Sequence, residues 1–242
     1  MVKLELHFIH GFLGMAADWK PVQKFLANPE LRFVNHDLND HFLELKEKNK
    51  TQSFSNWALL MNQKLQLTDT PKLVVGYSLG GRLLSHVDSR FYEKRIIIGS
   101  HPGLLEHHSE RLASDQKWVD LLFKVEMSEW LRQWNSQEIF KADKNRPNRP
   151  WTSAHRDLIG ETLMSYSLGK QTLRDMDLRN NSVKTYWAIG ENDHKFAVLI
   201  PRLKKILPER HIWVLPNSGH GLIFSQPQVV AEKIKEVVDD LI

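Results

Sequence analysis

The sequence has no cysteine, so it holds neither a disulfide framework nor a thiolate zinc site, and a reducing compartment suits it. No apolar run approaches the ~20 residues needed to span a bilayer. The first residues also lack the apolar stretch and small-residue cleavage site of a signal peptide. A block of one charge is missing too. The 33 basic residues stand against 29 acidic ones, a formal charge of +4, and no Lys/Arg cluster is long enough to track a nucleic acid or an anionic membrane. There is no internal repeat or low-complexity tract. The expectation is a cytoplasmic protein with no nucleic-acid partner and no membrane insertion. His101 and the pair His107-His108 lack the companion carboxylates or third ligand of a defined metal site, so no metal is expected. What the chain does have is 242 residues with 41% hydrophobic content, enough for one domain with a substantial core.

Its most informative segment is Gly76-Tyr77-Ser78-Leu79-Gly80, which follows the apolar run Lys72-Leu73-Val74-Val75 and precedes the helix-like Gly81-Arg82-Leu83-Leu84-Ser85-His86. A serine on a sharp strand-to-helix turn needs small residues two positions before and after it, because larger side chains would collide as the chain reverses. This is a nucleophile elbow. It exposes Ser78 at the carboxyl edge of a sheet and sets the Leu79 N–H at a helix start, where negative charge is stabilised.

Three further features fall in the order that such a site requires. Residues 2–9 alternate as a strand and lead into His10-Gly11-Phe12-Leu13-Gly14, a loop fitted to supply a second oxyanion-hole N–H from Phe12. The strand-like Val183 to Ile189 ends in Gly190-Glu191-Asn192-Asp193, and His211 to Leu215 leads into Pro216-Asn217-Ser218-Gly219-His220. Serine, acid and histidine follow one another as in the α/β-hydrolase fold, unlike the chymotrypsin or subtilisin orders. The predicted architecture is a mostly parallel central sheet flanked by helices. Asp18 to Ala27 reads as a helix, Leu31 to Val34 as a strand, and Ser55 as the cap of a helix carrying Trp57, Leu60, Met61 and Leu65. Arg95 to Gly99 reads as a buried strand, and Val229 to Leu241 as a terminal amphipathic helix. Between His101 and about Met176 the strand signal disappears, while helical periodicity and four tryptophans (Trp118, Trp130, Trp134, Trp151) appear. Residues 1–100 and 177–242 are thus expected to form the core, and 101–176 an inserted helical cap.

Several of these residues also match a narrower pattern: Gly76 to Arg82, His101-Pro102-Gly103-Leu104, Glu110-Arg111, Asp115 with Trp118, and Trp134 with Gln137 and Phe140. Together, from about His10 to His220, they resemble the menaquinone-pathway 2-succinyl-6-hydroxy-2,4-cyclohexadiene-1-carboxylate synthase family. The resemblance implies a cofactor-free carbon–oxygen lyase whose serine triad removes a substrate proton, pyruvate being expelled as the ring becomes conjugated. It implies catalytic Ser78, Asp193 and His220, an oxyanion hole at Phe12 and Leu79, and Arg82 and Arg111 binding the carboxylates of a small anionic substrate. Tyr77, Trp134 and His101 would line the pocket. Two positions depart from the family: Asp37-Leu38-Asn39-Asp40-His41 replaces a proline- and glycine-containing turn, and Thr162 stands where a third substrate arginine is expected.

The residues themselves leave alternatives open. Glu191 is a rival to Asp193 for orienting the imidazole, although loop position favours Asp193. Arg82 and Arg111 have a plain reading as surface charges, the latter in a Glu-Arg pair, and the cap tryptophans a reading as packing. A carboxylesterase or thioesterase acting through a Ser78 acyl-enzyme would use the same machinery. Thr162 keeps that rival alive, because threonine cannot replace a guanidinium and Arg149 or Arg156 would have to reach the site instead. A non-enzymatic ligand-binding protein is the third reading, opposed by the intact Ser78, Asp193 and His220. Within the turn-rich Asn145 to Pro150, the Arg146 to Pro150 segment reads as a mobile cap loop whose charge attracts anions.

Overall fold

The computed structural model describes residues 2–143 and 147–242. Asn145 and Arg146, at the start of the predicted turn-rich stretch, lie outside the described residues. The sheet has six strands, β1 (Leu4–Ile9), β2 (Leu31–His36), β3 (Lys72–Tyr77), β4 (Lys94–Ile98), β5 (Thr185–Gly190) and β6 (Ile212–Leu215). Their order is β2-β1-β3-β4-β5-β6 and every neighbouring pair is parallel.

Strand parity assigns the two faces, because successive side chains point opposite ways. Leu4, Leu6 and Phe8 of β1, Leu73 and Val75 of β3, and Ile96 and Ile98 of β4 share one core cluster. That cluster includes Val22 of α1 (Lys20–Gln23) and Val230, Ile234 and Val237 of the C-terminal helix. Ile9 and Val74 face the other way, onto α2 (Leu38–Glu47), α3 (Phe54–Leu65) and α4 (Leu79–Leu84), where Phe42, Trp57, Met61 and Leu83 are buried. Between β4 and β5 the chain is helical: α5 (His108–Leu122), α6 (Met127–Asn135), α7 (Arg156–Ser165) and α8 (Asp175–Arg179), with short 3-10 turns and, among the described residues, no strand. After β5 come α9 (His194–Ala197) and α10 (Ile200–Leu203), and after β6 come α11 (Leu222–Ser225) and α12 (Pro227–Asp239).

Three local expectations are corrected. The helix predicted over Asp18 to Ala27 is a 3-10 turn (Ala16–Trp19) followed by the short α1, whose second residue is Pro21. Proline has no N–H to donate and fits only the first helical turn, so the α-helix starts at that point and not earlier. Ser55 is not a cap. Ser53, extended at φ −156°, accepts the Asn56 N–H at 3.2 Å, and Ser55 lies inside the first turn. The segment Asp37 to His41 opens a whole helix, α2, capped by the Asp37 carboxylate on the Asn39 N–H at 2.9 Å. Its signature was present in the spacing of Leu38, His41, Phe42 and Leu45, all buried. The strand read over residues 2–9 is β1, and all six of its positions are buried, the polar ones included. Glu5 pairs with Arg32 and accepts from Thr68, while His7, His36 and His41 form a hydrogen-bonded file that begins at Glu5. Hydrogen-bonded in this way, Glu5, His7 and His36 tolerate burial, whereas His41 Nδ1 has no partner among the described residues.

Candidate active site

In a parallel sheet every strand delivers its following loop to the same edge. Ligands bind where the chain order reverses, because the loops diverge there and leave a crevice. Here the reversal lies between β1 and β3. The Phe12 loop follows β1, Ser78 follows β3, His101 follows β4, Asp193 follows β5 and His220 follows β6.

The elbow depends on two backbone contacts. A Cβ on Gly76 would come within 2.7 Å of the Gly80 carbonyl carbon, and one on Gly80 within 2.5 Å of the Ile9 and His10 carbonyl oxygens. Between them Ser78 adopts φ 52° and ψ −113°, a conformation costing about 1–3 kcal/mol for a residue with a side chain. It is held by its own N–H donating to Ile98 O at 2.8 Å and by Ser100 Oγ donating to its carbonyl.

Ser78 Oγ lies 3.1 Å from His220 Nε2, and His220 Nδ1 lies 2.8 Å from Asp193 Oδ2. Asp193 and His220 are buried, and the second Asp193 oxygen accepts the Phe196 N–H at 3.3 Å. Glu191, the rival acid, is exposed and accepts the Asn217 N–H at 3.1 Å, away from the imidazole. Leu79 is the first residue of α4, where an amide N–H has no partner within the helix. Phe12 lies on a loop that touches the elbow: a Cβ on Gly11 would meet the Ser78 Cβ at 3.2 Å. His10 shapes that loop. The Leu38 N–H donates to its Nε2 at 2.9 Å, which leaves Nδ1 as the protonated nitrogen, donating to Gly11 O at 2.8 Å.

These groups open onto a cavity of about 560 Å³ lined also by Tyr77, Arg82, His101, Arg111 and Trp134. The Tyr77 and His220 rings lie 5.5 Å apart. Trp134 stacks on Trp130 at 5.2 Å and meets Phe12 edge-on at 5.1 Å, so it both packs and faces the cavity. Arg82, on α4, donates to the Tyr166 carbonyl at 2.8 Å and has no carboxylate partner among the described residues. Burial, then the neighbouring Arg111, pulls its pKa down to about 9 against the opposing pull of Asp115. Arg111 donates from Nε to both oxygens of Asp115, at 3.0 and 2.9 Å, and Asp115 is fixed in turn by Ser167 Oγ at 2.6 Å. Glu110 points elsewhere, to His107 on the surface. The His101 pKa is held down to about 3 by burial, then by Arg202, Arg82, Arg111 and Lys195, and its Nδ1 accepts the Gly103 N–H.

Thr162 lines the same cavity, with no cation in its place. Arg156 does not reach it, donating to Val125 O at 2.6 Å. Arg149 does line the cavity, but its guanidinium is forked onto Asp18 at 2.6 and 2.8 Å. The expectation of a loop charge attracting anions is thereby corrected for Arg149: its charge is neutralised by a buried carboxylate. Trp151 anchors the same stretch by donating to Leu13 O at 3.0 Å. Sequence reasoning missed Asp18, Ser100, Lys195 and Asp143, whose carboxylate accepts the Gly221 N–H at 2.6 Å. Only Ser100 carried a signal, as the residue just past a predicted buried strand. Among the described residues no cluster of three His, Asp or Glu is arranged to hold a metal ion.

Comparison with known proteins agrees with this architecture. The sequence pattern of the alpha/beta hydrolase family matches residues 8–233. The 2-succinyl-6-hydroxy-2,4-cyclohexadiene-1-carboxylate synthase of Escherichia coli K12 is 27% identical over 243 residues, covering 96% of this chain and 93% of that protein. The protein of the same name from Salmonella heidelberg is 25% identical over 243 residues, with the same coverage. Among solved structures, MenH from S. aureus superposes with a TM-score of 0.85 at 20% identity, over 99% of this chain and 95% of that one. An esterase from Exiguobacterium antarcticum superposes at 0.69 and 15% identity, over 98% and 92%. With a family pattern that spans nearly its whole length and a six-stranded parallel sheet carrying the elbow, the chain belongs to the alpha/beta hydrolase family.

Proposed function

We propose that this protein is a pyruvate-eliminating carbon–oxygen lyase of the 2-succinyl-6-hydroxy-2,4-cyclohexadiene-1-carboxylate synthase type, acting on a small anionic carboxylate. The observation that carries the proposal is Arg82: a guanidinium in the cavity of Ser78, beside a second guanidinium, that meets the Tyr166 carbonyl and, at 5.9 Å, the Phe54 ring but, among the described residues, no carboxylate. An unpaired charge so placed is costly unless a ligand carboxylate completes it. In the proposed reaction Asp193 orients His220, whose Nε2 takes the Ser78 proton. The alkoxide takes the acidic proton of the substrate, and the electron pair released expels pyruvate as its enolate while the ring becomes conjugated. His220 then returns its proton to the departing group. Phe12 and Leu79 N–H groups stabilise negative charge developing on oxygen, and Arg82 and Arg111 hold the carboxylates so that the proton faces Ser78. Residues 101–176 act as a cap over the core of 1–100 and 177–242. Arg111, Trp134 and Thr162, all within that stretch, line the cavity.

The test is pyruvate release from the synthase substrate set beside hydrolysis of p-nitrophenyl acetate. The lyase reaction is expected to be much the faster, and Arg82→Ala to weaken it by about 2–5 kcal/mol while leaving the neutral ester's turnover nearly unchanged. Equal or better ester turnover, insensitive to Arg82→Ala, overturns the lyase. One observation favours the second reading, a carboxylesterase or thioesterase: Thr162 brings no charge to the cavity and Arg149 is already paired.

A further inference from the structure

Lys195 lies two residues beyond Asp193 on α9, a single helical turn whose cap is Asp193 itself. The turn is fixed from both sides. Asp193 accepts the Phe196 N–H, and the Phe196 ring packs 5.0 Å from His220 and 6.1 Å from His101. The residue before Phe196 is therefore delivered to the cavity with little freedom, and Lys195 is among its lining residues. The residue is exposed, yet its pKa is drawn below the usual lysine value, first by partial burial and then by Arg111, with Asp193 and Asp115 opposing. Arg202, Arg82, Arg111 and Lys195 all bear on His101, and the last three of them line the cavity with it. Of the nearby carboxylates, Asp143 lines the cavity and accepts the Gly221 N–H. Asp115 is forked by Arg111, and Asp193 is engaged by His220. Among the described residues, Arg82 and Lys195 have no ion-pair partner. Of the other cations that line the cavity, Arg149 is neutralised by Asp18 and Arg132 pairs with Glu129, so the excess charge is that of Arg82 and Lys195. Like charges held together without counter-ions repel one another, and an anion bound between them relieves that repulsion.

We propose that Lys195 is a specificity residue: its ammonium binds a second anionic group of the ligand, beside the one held by Arg82, and so makes the cavity prefer dicarboxylates to monocarboxylates. The inference rests on the carboxylate-binding pocket proposed above, though not on the elimination chemistry. Its test uses the purified full chain and a small neutral fluorophosphonate that labels Ser78. Protection against labelling is titrated with succinate and with butyrate, each midpoint taken relative to that variant's own unprotected rate. Succinate is expected to protect the wild type at lower concentration than butyrate. Lys195→Met is expected to raise the succinate midpoint about 10-fold and the butyrate midpoint much less, and Lys195→Arg to restore most of the loss. If Arg82→Ala abolishes succinate protection while Lys195→Met leaves it unchanged, the role of Lys195 is overturned and the anionic pocket stands. If succinate never protects, or protects Arg82→Ala as well as wild type, the anionic pocket falls and Lys195 with it.

Discussion

At the scale of single residues the site is defined by which of two similar groups has the right partner. Asp193 and Glu191 are two positions apart at the same strand end, but only Asp193 meets the imidazole, at 2.8 Å. Asp193→Asn is expected to preserve the geometry and lose turnover by about 10⁴, the amide favouring the wrong imidazole tautomer. Glu191→Gln should change little, since its oxygen caps an exposed loop amide; steady-state rates of the two variants decide between the acids, and a more damaging Glu191→Gln would reverse the assignment. Ser78→Ala is expected to abolish turnover by several orders of magnitude. It leaves the elbow in place, because the hydrogen bonds holding Ser78 are those of its backbone. A circular dichroism spectrum and a urea midpoint matching wild type check the second half.

At the scale of elements, caps and close approaches decide where the chain turns toward the site. The Asp37 carboxylate caps α2 and also accepts the Ala16 N–H at 3.2 Å, joining the end of β2 to the loop region after β1. Asp37→Ala is expected to destabilise the fold by about 1–2 kcal/mol, at the upper part of the range for a lost N-cap. Urea unfolding at unchanged m-value measures it, and a midpoint equal to wild type would mean that the cap contributes nothing. In the inserted helices Trp130 is fully buried, with its N–H donating to Trp118 O at 2.9 Å. Trp130→Ala is expected to cost about 3–5 kcal/mol through the cavity it leaves. Because Trp130 stacks on Trp134, the same variant should loosen the cavity wall opposite Phe12.

At the scale of the whole molecule the buried histidines set the response to acid. Burial, first among the causes, lowers His41 and His101 to about 3 and His86 to about 4, against an ordinary value of 6.5. These groups are neutral in the folded protein and take up protons more readily once unfolded. Between pH 6.5 and about 3 the unfolded chain therefore binds more protons, and stability rises with pH across that window. Full stability is expected above pH 6.5. Below it, each such imidazole contributes a loss of up to about 1.4 kcal/mol per pH unit. Urea midpoints measured from pH 7.5 to 4.5 should fall steadily, and His41→Gln should flatten the slope. A midpoint that is level across this range would contradict the buried neutral state. No described helix is long and apolar enough to cross a membrane.

The sequence by itself determined what is local. Gly76 and Gly80 around Ser78 can serve one strand-to-helix reversal, since any Cβ at either position meets backbone. Runs such as Leu73-Val74-Val75 and Ile96-Ile97-Ile98 are apolar on both faces because helices cover both. The order of serine, acid and histidine followed from the strand ends, as a parallel sheet sends all of them to one edge. The start of α2 was equally local and was overlooked, its cap and apolar spacing lying in plain order from Asp37 to Leu45. What only the tertiary structure decided is pairing between distant segments. Arg149 and Asp18, 131 positions apart, cancel one another's charge, and no periodicity announces that. Arg82 and Lys195 look like any surface cations in the chain, on helices too short to display a polar face. Their convergence with Arg111 depends on how α5 packs relative to α4 and α9, a matter of long-range packing, and electrostatic interaction falls with distance in space regardless of separation along the sequence.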